Sequence, residues 1–143
     1  MNALTVSVRE LPLVQPLERR RLQCYLGLIL ADCGALLAGF VAAGFLYLGS
    51  SGAGRAAIIA QLVMPLYLTI ALYNGAYSMD ALTHPRRGTR RALAAFAMSA
   101  ALVVAIAYYA KSSAAFSRVV FTGGGVLTAL GLVWARAQMR AFV

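Results

Sequence analysis

Leu22 to Leu48 reads LQCYLGLILADCGALLAGFVAAGFLYL, an apolar run broken by one carboxylate, Asp32. A helix of about 20 apolar residues crosses a hydrocarbon core about 30 Å thick. This run is somewhat longer, so it predicts a tilted membrane-spanning helix. It starts only after Arg21 and is too long for a signal-peptide core, so no cleavable leader is expected.

Three further apolar runs follow: Ala56 to Met79, Ala92 to Ala110, and Val119 to about Gln138. Gly49 to Arg55 and Lys111 to Arg118 read as short polar turns, and Asp80 to Arg91 as a charged loop with Pro85 and Gly88 in its turn. Pro65, near the middle of the second run, predicts a kink, and Thr89 is a plausible N-cap for the third helix. Loops this short make each helix run antiparallel to the next. The expected fold is an all-α integral membrane protein, an antiparallel bundle of four transmembrane helices over residues 22–141. A basic cytoplasmic arm, residues 1–21, precedes it, with Pro12 and Pro16 as helix breakers.

Composition agrees. Of 143 residues 62% are hydrophobic and 12% charged, against about 25% charged in a soluble domain. The net charge of +9 would suggest nucleic acid in a soluble protein. Here the basic residues cluster between apolar runs, and no recognition pattern accompanies them, so nucleic acid is not an expected partner. Ten of the 13 fall on one side: Arg9, Arg19, Arg20, Arg21, Arg86, Arg87, Arg90, Arg91, Arg136 and Arg140. Arg55, Lys111 and Arg118 fall on the other. The richer side is expected to be cytoplasmic, with both termini there. Tyr47, Tyr108 and Tyr109 would mark the outer interface, and Tyr25, Tyr77 and Trp134 the inner one.

Asp32 is the most informative polar residue. It lies about 15 Å along the first span, too deep for its short side chain to reach water. Tyr73, Asn74 and Ser99 lie at similar depth and can donate hydrogen bonds, with Asn74 the first choice of partner. On that reading Asp32→Asn is mild. Ala31, Ala35, Gly39 and Ala43 repeat every four residues, a stripe of small side chains that lets another helix approach closely. Gly123, Gly124 and Gly125 offer the same in the fourth span. The helix that packs there belongs either to the same chain or to a second copy in a homo-oligomer. Arg86, Arg87, Arg90 and Arg91 form the densest basic cluster. It serves either topology alone or contact with an anionic headgroup or lipid phosphate.

Covalent chemistry has little to work with. Glu10, Glu18, Asp32 and Asp80 are the four acids, none adjacent to another, and His84 is the single histidine. There is no phosphate-binding loop, metal-ligand cluster or catalytic triad, so neither metal nor cofactor is expected within this chain. Cys24 and Cys33 share one helix about 13 Å apart and cannot bridge each other.

The order of these features resembles a known family. Arg19-Arg20-Arg21 with Tyr25 and Asp32, then Tyr73-Asn74-Gly75-Ala76-Tyr77 and a basic loop, then Phe116-Ser117-Arg118-Val119-Val120-Phe121 leading to Arg136, is similar to the N-terminal four-helix membrane domain of the bacterial polyprenyl-phosphate hexose-1-phosphate transferases. The resemblance covers almost the whole chain. It implies the bacterial inner membrane, undecaprenyl phosphate as a partner, and initiation of exopolysaccharide, capsule or O-antigen synthesis. In that family catalysis, with an Asp-Glu pair and Mg²⁺, belongs to a C-terminal domain that no position here matches. The implied role is therefore non-catalytic: to anchor, orient or oligomerise the transferase. The alternatives are a free-standing scaffold for lipid-linked intermediates and a transporter or channel subunit.

Overall fold

The computed structural model describes residues 16–110 and 117–139. They form α1 (Pro16–Tyr73), α2 (Met79–Thr83), α3 (Pro85–Tyr109) and α4 (Arg118–Met139). Most of the expected basic arm and of the turn from Lys111 lies outside the described residues, as do Arg9 and Arg140. Residues 16–21, assigned to the arm, begin α1 instead, with Pro16 as its first residue. Proline suits that position because its missing N–H has no helical partner there.

Three helices are long and apolar enough to cross a membrane: Leu22–Tyr73, Pro85–Tyr109 and Arg118–Gln138. The first is 52 residues long, about 78 Å if straight. It is not straight. Gly49 has φ 68° and ψ −156°, a conformation essentially reserved for glycine. There the chain folds back: Tyr67 donates a 2.7 Å hydrogen bond to Asp32, residues that would be about 52 Å apart on a straight helix. Limbs 16–48 and 50–73 are thus antiparallel neighbours. At their crossing a Cβ on Gly44 would meet Ala56 and the Gly52 carbonyl, and one on Gly52 would meet Leu48 and the Gly44 carbonyl. The turn expected over 49–55 shrinks to one residue, because residues 50–55 continue as helix. Non-helical angles within α1 are confined to Gly49, and Pro65 keeps helical ones.

α1 ends earlier than the expected Met79, and its end is a Schellman motif. Gly75 takes φ 67°, Ala76 N–H donates to the Ala71 carbonyl at 2.9 Å, and Gly75 N–H to that of Leu72 at 3.2 Å. Ser78 caps the short α2, whose presence the sequence reading did not anticipate. α3 starts at Pro85, seven residues before the expected Ala92, so Thr89 is not its cap but donates to the Pro85 carbonyl inside the helix. A Cβ on Gly88 would lie 2.7 Å from the Ala81 carbonyl oxygen, which lets α2 pack flat on α3.

Each long element buries one stripe. Leu28, Asp32, Leu36, Phe40 and Ala43 line the first limb, and Ala56, Ala60, Val63, Tyr67 and Ala71 the second. α3 contributes Ala92, Phe96, Ser99 and Val103, and α4 contributes Val120, Thr128, Leu132 and Arg136. These three- and four-residue spacings put one face of each helix inside. The outward faces are apolar too, with Leu30, Leu46, Leu130 and Trp134 well exposed. A surface of that kind suits lipid and not water. The chain is built as a multi-pass membrane protein.

Candidate functional site

Among the described residues the bundle interior holds one charged cluster. Asp32 is fully buried, and its Oδ2 accepts from Tyr67 at 2.7 Å, Tyr77 at 2.8 Å and Arg136 Nη2 at 2.7 Å. Arg136, only 6% exposed, also donates from Nη1 to the Ala76 carbonyl at 3.2 Å. Its guanidinium lies 5.4 Å from the centre of the Tyr77 ring. Tyr67 in turn sits edge-on to Phe96, centroids 6.5 Å apart. The cluster therefore ties both limbs of α1, the turn after it and α4 together, with α3 alongside. A bare carboxylate or guanidinium in such a place is very costly, and each is tolerable because the other is there.

Local structure explains the convergence. The Schellman turn at Gly75 swings Ala76 and Tyr77 inward, so one turn supplies both a hydroxyl and a carbonyl. Arg136 comes from the last turns of α4, and Tyr77 from beyond the end of α1. Asp32 is thus level with the last turns of α4 and the turn after α1. Three buried side-chain atoms have no partner among the described residues: Thr128 Oγ1 and, within the cluster, Asp32 Oδ1 and Arg136 Nε. In the cluster pair, one is an acceptor and the other a donor, the two remaining arms of a side-on Asp–Arg pair.

The expected partners of Asp32 are not the observed ones. Tyr73 is 95% exposed. Asn74 is exposed and donates to the Arg91 carbonyl at 3.4 Å. Ser99 is buried but donates to the Phe96 carbonyl at 2.8 Å. Tyr73 and Asn74 fall at the end of α1, where the chain turns away from Asp32. Tyr77, expected in the interfacial belt, is 5% exposed. Arg136, expected as a topology charge, is inside. A signal was present: a buried acid requires a counter-charge, and Arg136 is the one basic residue inside the fourth apolar run.

The small-residue stripes do meet, and within the chain. A Cβ on Gly39 would run into the Thr128 side chain and backbone, and one on Gly124 into the Phe40 ring. A Cβ on Gly131 would lie 3.2 Å from that of Ala35, and one on Gly123 would lie 3.7 Å from that of Ala43. Gly125 is the exception: a Cβ there meets nothing within 4 Å, so it faces outward and packs no helix.

The four loop arginines divide. Arg91 reaches the Gly75 carbonyl at 3.2 Å and Ser78 Oγ at 3.1 Å, and lies 3.6 Å from Asp80. Arg87 lies 3.7 Å from Asp80, and His84 lies 3.3 Å from it. These two arginines hold the α2–α3 corner. Arg86 and Arg90 form no ion pair among the described residues, and both line a cleft between α3 and α4.

Among the described residues no three His, Cys, Asp or Glu side chains converge. Cys24 and Cys33 are free thiols. No protein-family model, curated protein or solved structure matches the chain.

Proposed function

We propose that this chain is a non-catalytic membrane domain that anchors and orients a bacterial polyprenyl-phosphate hexose-1-phosphate transferase in the inner membrane. It crosses four times, through limbs 22–48 and 50–73, α3 and α4, with both termini cytoplasmic. The observation that carries the reading is the closed interior. The charge of Asp32 is matched within the bundle by Arg136, Tyr67 and Tyr77. Of the other buried polar side chains, Ser99 bonds a carbonyl of its own helix, and Thr128 Oγ1 stands without a partner among the described residues, one isolated hydroxyl and not a polar path. A transporter needs a polar path with groups free to exchange partners; this interior is a lock. The resemblance of the Arg19–Arg21, Asp32, Tyr73–Tyr77 and Phe116–Phe121 segments supplies the pathway.

A chimera tests the reading. This chain replaces the four-helix region of a transferase of the resembled family, and phosphosugar transfer to undecaprenyl phosphate is measured in membranes. The chimera should retain transfer, and the chain alone should form no product. A correctly inserted but inert chimera would overturn the proposal, and so would product formed by the chain alone. Orientation is checked by single cysteines at Gly54, which has open space around it, and at exposed Thr83, with Cys24 and Cys33 replaced. Reagent outside intact cells should label Gly54→Cys and spare Thr83→Cys.

A further inference from the structure

The seam between α3 and α4 is open at both ends. At the arginine end lies a cavity of 360 Å³ bounded by Arg86, Arg90, Leu93, Val133, Arg136 and Ala137. At the other end a second cavity of 420 Å³ lies between Val104 and Tyr108 of α3 and Arg118 and Phe121 of α4. The first cavity is amphipathic: Arg86 and Arg90 stand at its mouth, and Leu93 and Val133 form an apolar wall facing along the seam.

Three arginines border this cavity, in different states. Arg136 is neutralised by Asp32 at 2.7 Å, yet its buried Nε–H has no partner among the described residues. Arg86 and Arg90 are exposed and form no ion pair among the described residues. Two uncompensated guanidinium groups one helical turn apart on α3 make a fork for phosphate oxygens. A free anion would satisfy them but make no use of the apolar wall of Leu93 and Val133 beside them. An amphiphile satisfies both.

The geometry points to a binding site for one anionic glycerophospholipid, its phosphate on Arg86 and Arg90 and an acyl chain along the α3–α4 seam past Leu93 and Val133. The second cavity opens on the same seam near Val104, about 21 Å along α3 from Arg90, so both ends of the seam offer apolar space, the nearer one beside the arginines. The site rests on the reading that the arginine end lies at the membrane surface. Lipid retention is read on this chain alone, so it fails separately from the chimera.

Native mass spectrometry tests the site. The purified chain is presented in mixed micelles with phosphatidylglycerol and phosphatidylcholine of matched chains. One phosphatidylglycerol should be retained, with about ten-fold preference over phosphatidylcholine. The preference should vanish in Arg86→Gln/Arg90→Gln and survive in Arg87→Gln and Arg55→Gln. Val133→Trp leaves every arginine in place and fills the apolar wall, so it should expel the lipid too. It carries the test alone if the double variant does not fold. Equal retention of both lipids would overturn the proposal. Unchanged binding in Val133→Trp would reduce it to surface charge and overturn it equally. Displacement by millimolar inorganic phosphate, or by an isoprenyl phosphate at equal concentration, would assign the fork to a different phosphate and end the glycerophospholipid reading.

Discussion

α4 has two neighbours and treats them differently. Toward the first limb of α1 it presents Gly124, Thr128, Gly131 and Arg136, and meets Phe40, Gly39, Ala35 and Asp32. Backbone nearly touches backbone at Gly39–Thr128, and an ion pair lies at one end. Toward α3 it presents Val133 and Ala137, with Phe121 shared between Phe40 of the first limb, 5.8 Å away, and the α3 side, and cavities of 360 and 420 Å³ open along this seam at its two ends. In lipid, apolar contact between helices gains little over apolar contact with acyl chains. Close backbone approach and polar pairing therefore fix a seam, and branched side chains alone leave it fillable. The α1–α4 seam has both devices, and the α3–α4 seam has neither; cavity space alone does not separate them, since a groove of 490 Å³ also opens beside Ala38 and Trp134 on the α1–α4 side.

The sharpest way to break this contrast is to remove one charge. Asp32→Leu or Asp32→Asn leaves the Arg136 guanidinium buried beside Tyr67 and Tyr77 with no anion. Breaking a buried pair from one side costs about 3–5 kcal/mol, so either change should lower the unfolding midpoint in dodecyl sulfate severely. Asp32→Asn is mild only for a carboxylate paired with Asn74; opposite Arg136 it is not. Asp32→Leu/Arg136→Leu removes both charges and should recover much of the loss. A double variant no better than the worse single one would mean that the pair does not define this seam.

The next test exploits close approach. Gly39→Ala places a methyl against the Thr128 backbone and should destabilise by about 1–3 kcal/mol, the usual range for overpacking. Gly125→Ala on the same seam's partner helix meets open space and should stabilise by up to about 1 kcal/mol through helix propensity. Equal effects at the two positions would show that the seam is not set by backbone contact. Smaller still is Tyr67→Phe. It keeps the ring on Phe96 but deletes one of three donors to Asp32, and membrane hydrogen bonds average about 0.6 kcal/mol.

Much of this was readable in the residues. The apolar runs at 22–48 and 119–138 lie within helices Pro16–Tyr73 and Arg118–Met139, and 92–110 overruns Pro85–Tyr109 by one residue, because length and apolarity leave few alternatives in a membrane. The Ala35–Gly39–Ala43 stripe and the inward position of Asp32 were legible for the same reason. The partners of Asp32 were not. Depth counted from Leu22 assumes that helices begin and end level with the apolar runs. α1 starts at Pro16, and the Schellman turn at Gly75 redirects everything after Asn74. α1 ends at Tyr73, six residues before the expected Met79, and it is the turn at Gly75, not a continued helix, that brings Tyr77 inward while Tyr73 stays exposed. Arg86 and Arg90 separate from Arg87 and Arg91 only once α3 begins at Pro85, which puts those pairs on different faces of a helix and not together in a loop.

The least disruptive test probes the open seam directly. Ala107 is half-buried on α3 and lines the cavity shared with Phe121 and Arg118. Ala107→Leu adds three carbons to that space. In a packed interior such a change strains rotamers and costs about 1–3 kcal/mol. Here the added atoms have room, and they replace contacts that the cavity walls now lack. Exposed apolar surface in lipid yields no large transfer term, so the gain is limited to dispersion. The expected change in unfolding free energy is stabilising and within about 0.5 kcal/mol, the ordinary range for substitutions away from packed features. The same change at Ala60, fully buried in the second limb of α1, should cost several times that amount. If Ala107→Leu proves as damaging as Ala60→Leu, the α3–α4 seam closes in the membrane, and the distinction between a fixed and a fillable side of α4 disappears.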